Sequence, residues 1–220
     1  GSETPGNSLA MESAIACGEH LVINAQRSPS GLAWTVPTAP VPLTGLAHGC
    51  AGIALALSAL ATATGDSRFA VAAAQTLGYE QDLFHPAAGW QDRRTGDQAV
   101  KRYGRGWCNG STGVLIGRLG VRANLPWRYA DLPGMAEAVD RDIEAALALL
   151  RRFDFGVSHC LCHGDLGSID ALVHAAEVLD RPALLVEARR RAGGVLTEVR
   201  QYGRWIGWVG DGRSTPGLMV

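Results

Sequence analysis

Two short stretches of this chain carry side chains suited to holding a metal. Cys108 lies in Trp107-Cys108-Asn109-Gly110, and Cys162 and His163 open Cys162-His163-Gly164-Asp165-Leu166-Gly167. Both stretches end in the Gly-rich pattern that precedes a helix. Two thiolates and one imidazole suit Zn²⁺ and leave a fourth position for water or substrate, so the chain reads first as a catalytic metalloprotein. A third segment of the same kind, Gly45-Leu46-Ala47-His48-Gly49-Cys50-Ala51-Gly52, puts His48 in an equivalent local setting. Residue type alone leaves other roles open: burial or redox work for the cysteines, and packing or helix-end stabilisation for the imidazoles.

Composition narrows the classes. A chain of 220 residues can bury a sizeable core without staples. A net charge of −1 gives no field for nucleic acid, and Arg93-Arg94 and Arg189-Arg190-Arg191 lack an aromatic ladder. Apolar runs are broken before membrane-spanning length and no signal peptide is evident, so no membrane partner and a cytoplasmic location are expected. Five cysteines, Cys17, Cys50, Cys108, Cys160 and Cys162, make an odd set expected to stay reduced. Cys17 is expected in the core, and Cys50 and Cys160 in packing or in support of the metal ligands.

The elements that must position these residues are mostly helices. Residues 1–7 read as a vector scar or flexible lead, followed by a helix over 8–26. Four prolines between Ser28 and Leu43 favour a loop. The Gly45–Gly52 segment then leads into a helix to about Thr62, paired with another from Arg68 to Leu83. Residues 84–106, with the turn Thr95-Gly96-Asp97, read as a loop at the mouth of the site. A short helix follows Gly110. Beyond Pro126 and Pro133, Val139, Ile143, Leu147 and Leu150 form one apolar face. Leu166 to Leu179 repeats that pattern, with a partner over Leu184–Thr197. Short strands are conceivable near Ala33–Pro37 and Arg204–Val209, where Trp205 and Trp208 read as packing residues. A glycine-bearing loop, an inner helix and a return helix, repeated, favour a helical toroid or solenoid.

On the three quoted glycine-bearing segments, together with Ser111-Thr112-Gly113 and His159-Cys160-Leu161, the sequence resembles the lanthionine synthetase C-like cyclases. The resemblance is specifically to the carboxy-terminal cyclase domain of class II bifunctional lanthipeptide synthetases, enzymes of antibiotic biosynthesis. It implies an all-α fold, a double-layered α/α toroid, here a partial one over residues 8–220 that stops after Thr215-Pro216-Gly217-Leu218-Met219-Val220.

The resemblance further implies that Cys108, Cys162 and His163 bind Zn²⁺ and that His48 is the catalytic histidine. The implied reaction adds peptide cysteine thiols to dehydroalanine or dehydrobutyrine, forming lanthionine or methyllanthionine rings. The implied partners are a dehydrated precursor peptide, an amino-terminal dehydratase domain and the remainder of the cyclase domain. Single-domain cyclases of the family carry an arginine four positions before the first zinc cysteine. Gly104 stands there in this chain, with Arg105 one residue later. Asp165 is expected to cap the following helix or to orient a ligand. Addition of another thiol to dehydrated residues, and a silent peptide-binding module, are the alternative readings.

Overall fold

The computed structural model describes residues 5–37, 39–94, 101–125, 132–153 and 155–207. Seven helices dominate: α1 (Pro5–Ile23), α2 (Cys50–Thr64), α3 (Ser67–Gln81), α4 (Ser111–Asn124), α5 (Met135–Arg152), α6 (Asp165–Val178) and α7 (Pro182–Tyr202). Their apolar positions follow helical spacing, as on α5, where Val139, Ile143, Leu147 and Leu150 all face the core. Helices α2, α4 and α6 lie side by side in that order, and α3, α5 and α7 each pack back onto the helix before them. The result is a row of α/α pairs sharing one apolar interior, predominantly helical as the sequence patterning predicts. Close approach at the centre of the row needs small residues: a methyl on Gly117 would lie 2.9 Å from the Ala51 Cβ.

Two small antiparallel sheets join the helices. Strands β1 (Gln26–Ser28) and β2 (Gly31–Ala33) form a hairpin with Arg27 opposite Leu32. β1 starts at the last residue of the expected first helix, and β2 lies in the stretch expected to be a loop and ends at Ala33, where a short strand is expected to begin. Strands β3 (Phe84–His85), β4 (Gly89–Asp92) and β5 (Arg102–Tyr103) pair in sequence order, within another expected loop. Strands of two to four residues leave too short an alternation to be read from sequence. Trp90 on β4 is fully buried and anchors this sheet against the helices. No strand forms over 204–207, and Trp208, the Thr95-Gly96-Asp97 turn and Pro126 lie outside the described residues.

Helix α1 begins at Pro5, earlier than the patterning predicts, and ends at Ile23. Cys17 is exposed on it, against the expectation of a core cysteine. Gly18 occupies the buried face instead, and a Cβ there would meet Leu60 and Phe69. Cys50, Cys108, Cys160 and Cys162 are all buried free thiols.

The starts of α2, α4 and α6 share one construction. An α-helix begins with amides that lack intrahelical partners, and Gly49, Gly110 and Gly164 at the three N-caps offer no side chain to bind them. The preceding loop folds back to do so. Cys50 N donates to Leu43 O at 3.0 Å and Gly52 N to Gly45 O at 3.3 Å. At α4 the donors Ser111, Thr112 and Gly113 reach Gly104, Arg105 and Gly106 at 3.2, 3.4 and 3.2 Å. At α6, Asp165 N reaches Ser158 O at 2.8 Å. The loops pass so close to the helices that a methyl on Gly52, Gly113 or Gly167 would lie 2.0 Å from the carbonyl oxygen of Leu46, Trp107 or Leu161. Matching these contacts aligns Ala47 with Cys108 and Cys162, and His48 with Asn109 and His163.

Gly113→Ala is therefore expected to destabilise the fold by about 1–3 kcal/mol, because backbone must move to admit the methyl. Gly193, exposed within α7 with nothing near its missing Cβ, is expected to show the opposite sign, Gly193→Ala stabilising by about 0.5–1 kcal/mol. Denaturant unfolding of both variants checks the contrast; two changes of the same sign would contradict the loop packing described.

Candidate metal centre

The three helix-start loops lie against one another in the order of their helices. Ala47 N donates to Cys108 O at 3.1 Å, and Trp107 N donates to Cys162 O at 2.7 Å. These bonds stitch the first loop to the second and the second to the third. Gly106 lies at the second crossing, where a Cβ would fall 2.7 Å from Cys162 O and 3.1 Å from His163 Cδ2. Two loops 54 residues apart in sequence thus deliver their side chains to one point.

At that point Cys108, Cys162 and His163 each offer a ligand atom, and the three atoms lie within 4.8 Å of one another. His163 Nε2 is 3.1 Å from Cys108 Sγ and 3.7 Å from Cys162 Sγ. Tetrahedral zinc, with its usual bond lengths to sulfur and nitrogen, separates such atoms by about 3.6 Å. The donor set therefore fits zinc in type, and the two imidazole–sulfur distances bracket the spacing it needs. Among the described residues no other group of three or more such side chains gathers in this way.

The surroundings hold the ligands by their backbone and leave their sulfur atoms turned to the centre. Cys160, buried one residue before Leu161, accepts from His163 N through its Sγ at 3.2 Å and so fixes the turn that presents the imidazole. The sequence expectation of a supporting role for Cys160 matches this contact. Beside Cys108, Asn109 Nδ2 donates to Asp92 Oδ2 at 2.7 Å, while the Cys108 thiol donates to Asn109 Oδ1 at 3.1 Å. Asp92 also pairs with Arg94 at 2.9 Å, which brings a guanidinium charge to the rim.

The electrostatics suit metal capture. Burial, followed by the neighbouring Cys162, pushes the Cys108 thiol up to about 12, so it holds its proton until a cation takes its place. Burial and then Arg94 push the His163 imidazole below its ordinary range, keeping it neutral and able to ligate. Cys50, fully buried beneath the first loop, is pushed far up by burial and then by Glu80, and is an inert packing thiol.

His48 is exposed at the surface of the first loop, one residue from the Ala47 bond to the Cys108 carbonyl. The backbone thus carries it to the loop cluster in the register of His163. Asp165 does not cap α6: its Oδ2 accepts from Gly156 N at 3.1 Å and ties down the turn ahead of the third loop. Arg105 lies over the Phe153 ring, 4.8 Å from its centroid, lining a cavity of about 340 Å³ with Tyr103 and Arg152. Trp205 meets His159 edge-on at 5.9 Å, a packing contact as expected, although it stays part exposed. Arg191 is buried against Glu187 and the Leu150 carbonyl, so the arginine run on α7 presents no continuous cationic face.

Sequence reasoning missed a buried charge cluster beneath the first loop. Glu80 and Arg118 are completely buried and paired at 2.7 Å, and Arg118 also pairs with Asp142 at 2.8 Å. Its members sit on α3, α4 and α5, and an isolated charge on a helix ordinarily reads as solvated. The only sequence trace is Arg118 at a position flanked by apolar residues of α4.

A family model described as lanthionine synthetase C-like protein matches residues 3–220. No curated protein matches the chain. Among the described residues, no helix is long and apolar enough to cross a membrane.

Zinc stoichiometry measured by elemental analysis is expected to fall from about one per chain on Cys108→Ala, Cys162→Ala or His163→Ala substitution, each variant staying folded. Full occupancy in any of them would remove that residue from the ligand set. The raised Cys108 thiol sets the sign of the pH dependence. The metal-free protein keeps that proton through neutral pH, so binding must release it and affinity must rise with pH. Lowered His163 adds no release above its own titration. Competition titrations between pH 6 and 8 are expected to show about a tenfold gain in affinity or more per unit, and a flat profile would contradict the assignment.

Proposed function

The chain belongs to the lanthionine synthetase C-like family, and from that premise we propose that it is a zinc-dependent lanthipeptide cyclase. The observation that carries this reading is the cluster of Cys108, Cys162 and His163 at the meeting of two helix-start loops. Family membership and a metal-capable cluster together support a catalytic role. The proposed substrate is a precursor peptide bearing dehydroalanine or dehydrobutyrine. The architecture proposed is a double-layered α/α toroid, which the row of α/α pairs supports. The class II assignment, the dehydratase partner and the cytoplasmic location belong to the same proposal.

Cys108, Cys162 and His163 would hold the zinc. When bound, the metal supplies a Lewis acid that favours the deprotonated form of a substrate thiol. The chemistry is an addition without redox change: a C–S bond forms at the β carbon, the C=C π pair moves to the α carbon and its carbonyl, and a proton then closes the α carbon. The thiol proton leaves and one proton returns, so the product has the mass of its precursor.

His48 is proposed as the group that gives this proton. Its exposure leaves the imidazole open to a bound peptide, and the Ala47 bond to the Cys108 carbonyl fixes its loop relative to the metal ligands. Imidazole exchanges protons readily near neutral pH, which suits a group that must be recharged each turnover. Cys108 and Cys162, which would hold the metal, are buried, whereas His48 is exposed. Asn109 and Asp92 hold the second loop from behind and keep Cys108 in place as substrate exchanges.

Mass spectrometry of a thiol-blocking assay on a defined dehydrated peptide tests the reading. Zinc-loaded protein is expected to protect peptide cysteines from the blocking reagent without change of mass, and free thiols left unchanged by folded, zinc-loaded protein would contradict it. His48→Ala is expected to keep zinc and peptide binding while slowing ring formation by about 10²–10⁴-fold. An unchanged rate would remove His48 from the reaction.

A further inference from the structure

We propose that Glu80 is the positioning residue for His48: its buried carboxylate clamps both ends of the loop that carries the imidazole. The proposal rests on the catalytic reading of His48. Glu80 Oε1 accepts from Gly45 N at 3.0 Å and from Ala51 N at 3.1 Å. These amides bracket the segment 46–50, with His48 at its middle. The second oxygen, Oε2, accepts from Arg118 Nη1 at 2.7 Å, and Arg118 Nε donates to Asp142 Oδ2 at 2.8 Å. One carboxylate thus ties the first loop to α4 and α5.

Comparison among the three loops shows what Glu80 replaces. At α4 the second helical amide, Thr112 N, goes to the loop carbonyl of Arg105, seven residues back. At α2 the matching amide, Ala51 N, goes to Glu80, and the matching loop residue is Thr44. Thr44 itself turns its hydroxyl to the Gln91 carbonyl at 2.9 Å. The loop without a metal ligand therefore has its second helical amide held by a carboxylate from α3, where α4 uses a carbonyl of its own loop. Burial holds the Glu80 carboxyl above its usual range, with Arg118 and the Gly45 amide opposing the rise.

Gly45 transmits the clamp sideways. Its φ is +94°, and a Cβ there would fall 2.7 Å from the Cys108 carbonyl oxygen, to which Ala47 N also donates. Shifting the Gly45 amide would move His48 against the ligand loop without removing any ligand. Misplacement on the scale of an ångström is enough to slow a positioned reaction by on the order of 10²-fold.

The test uses zinc-loaded full chain and a dehydrated precursor peptide. Glu80→Gln offers one oxygen where two are used, so its NH₂ must face either the Arg118 guanidinium or the Gly45 and Ala51 amides, donor against donor in both cases. A second variant, E80M/R118M/D142L, replaces the whole buried cluster with apolar groups of similar volume, an exchange that commonly preserves stability. It carries the comparison should Glu80→Gln not fold. Each is made with His48 present and with His48→Ala, and kcat, KM, zinc stoichiometry and amide exchange are measured.

The expected result is a fall in kcat on the order of 10²-fold with KM and zinc content unchanged, and no further fall in the His48→Ala background. Exchange should quicken at Gly45 and Ala51 and stay constant at Ser111–Gly113. Equal losses in both backgrounds, or unchanged exchange at Gly45 and Ala51, would overturn the positioning role alone. Full-rate cyclisation by His48→Ala itself would instead overturn the reading of His48 and this proposal with it, a failure visible before Glu80 is altered.

Discussion

The need to satisfy the first amides of α2, α4 and α6 organises the rest of this structure. A glycine at each N-cap can bind none of them, so every loop turns back and gives its own carbonyls, seven residues upstream, to the helix it precedes. That path runs so near the helix axis that only glycine fits at the crossing points. It also fixes which loop residue stands at the tip. Because the three helices lie in a row, the first loop is bonded to the second and the second to the third.

What distinguishes the loops is what each carries in that shared frame. The second carries Cys108, the third Cys162 and His163, and the first Ala47 and His48. The two loops with Cys108 and Cys162 supply the candidate donors, while the first carries His48, exposed one residue beyond the Ala47 bond to the Cys108 carbonyl. Burial raises the Cys108 thiol and lowers the His163 imidazole, so these two groups are uncharged before a cation arrives. A divalent cation must displace the Cys108 proton there. The one loop that contributes no donor to the centre is held by Glu80, whose charge is balanced by Arg118 under complete burial. Removing a single member of such a cluster leaves an uncompensated charge and costs about 3–5 kcal/mol.

Much of this was legible in the sequence because it depends on local spacing. Helical apolar periodicity located the helices to within a few residues at each end, and the GxxG pairs at 49–52, 110–113 and 164–167 marked the three loops. Cys108 beside the second pair, and Cys162 and His163 beside the third, pointed to the cluster that the fold assembles. The buried charges were not legible, since Glu80 and Arg118 stand 38 residues apart and show their pairing only when α3 meets α4. Cys17 was misjudged because its helix presents Gly18 to the core and turns the thiol outward. Asp165 stands where a capping residue is common, yet its backbone amide is already taken by Ser158 and its carboxylate turns to Gly156.

Zinc K-edge X-ray absorption on the metal-loaded protein, before and after addition of a cysteine peptide, tests the central claim most directly. The account predicts a shell of two sulfur atoms and one imidazole nitrogen with one exchangeable light atom, which a third sulfur replaces when peptide is added. A shell of nitrogen and oxygen alone, or one that peptide leaves unchanged, would contradict it.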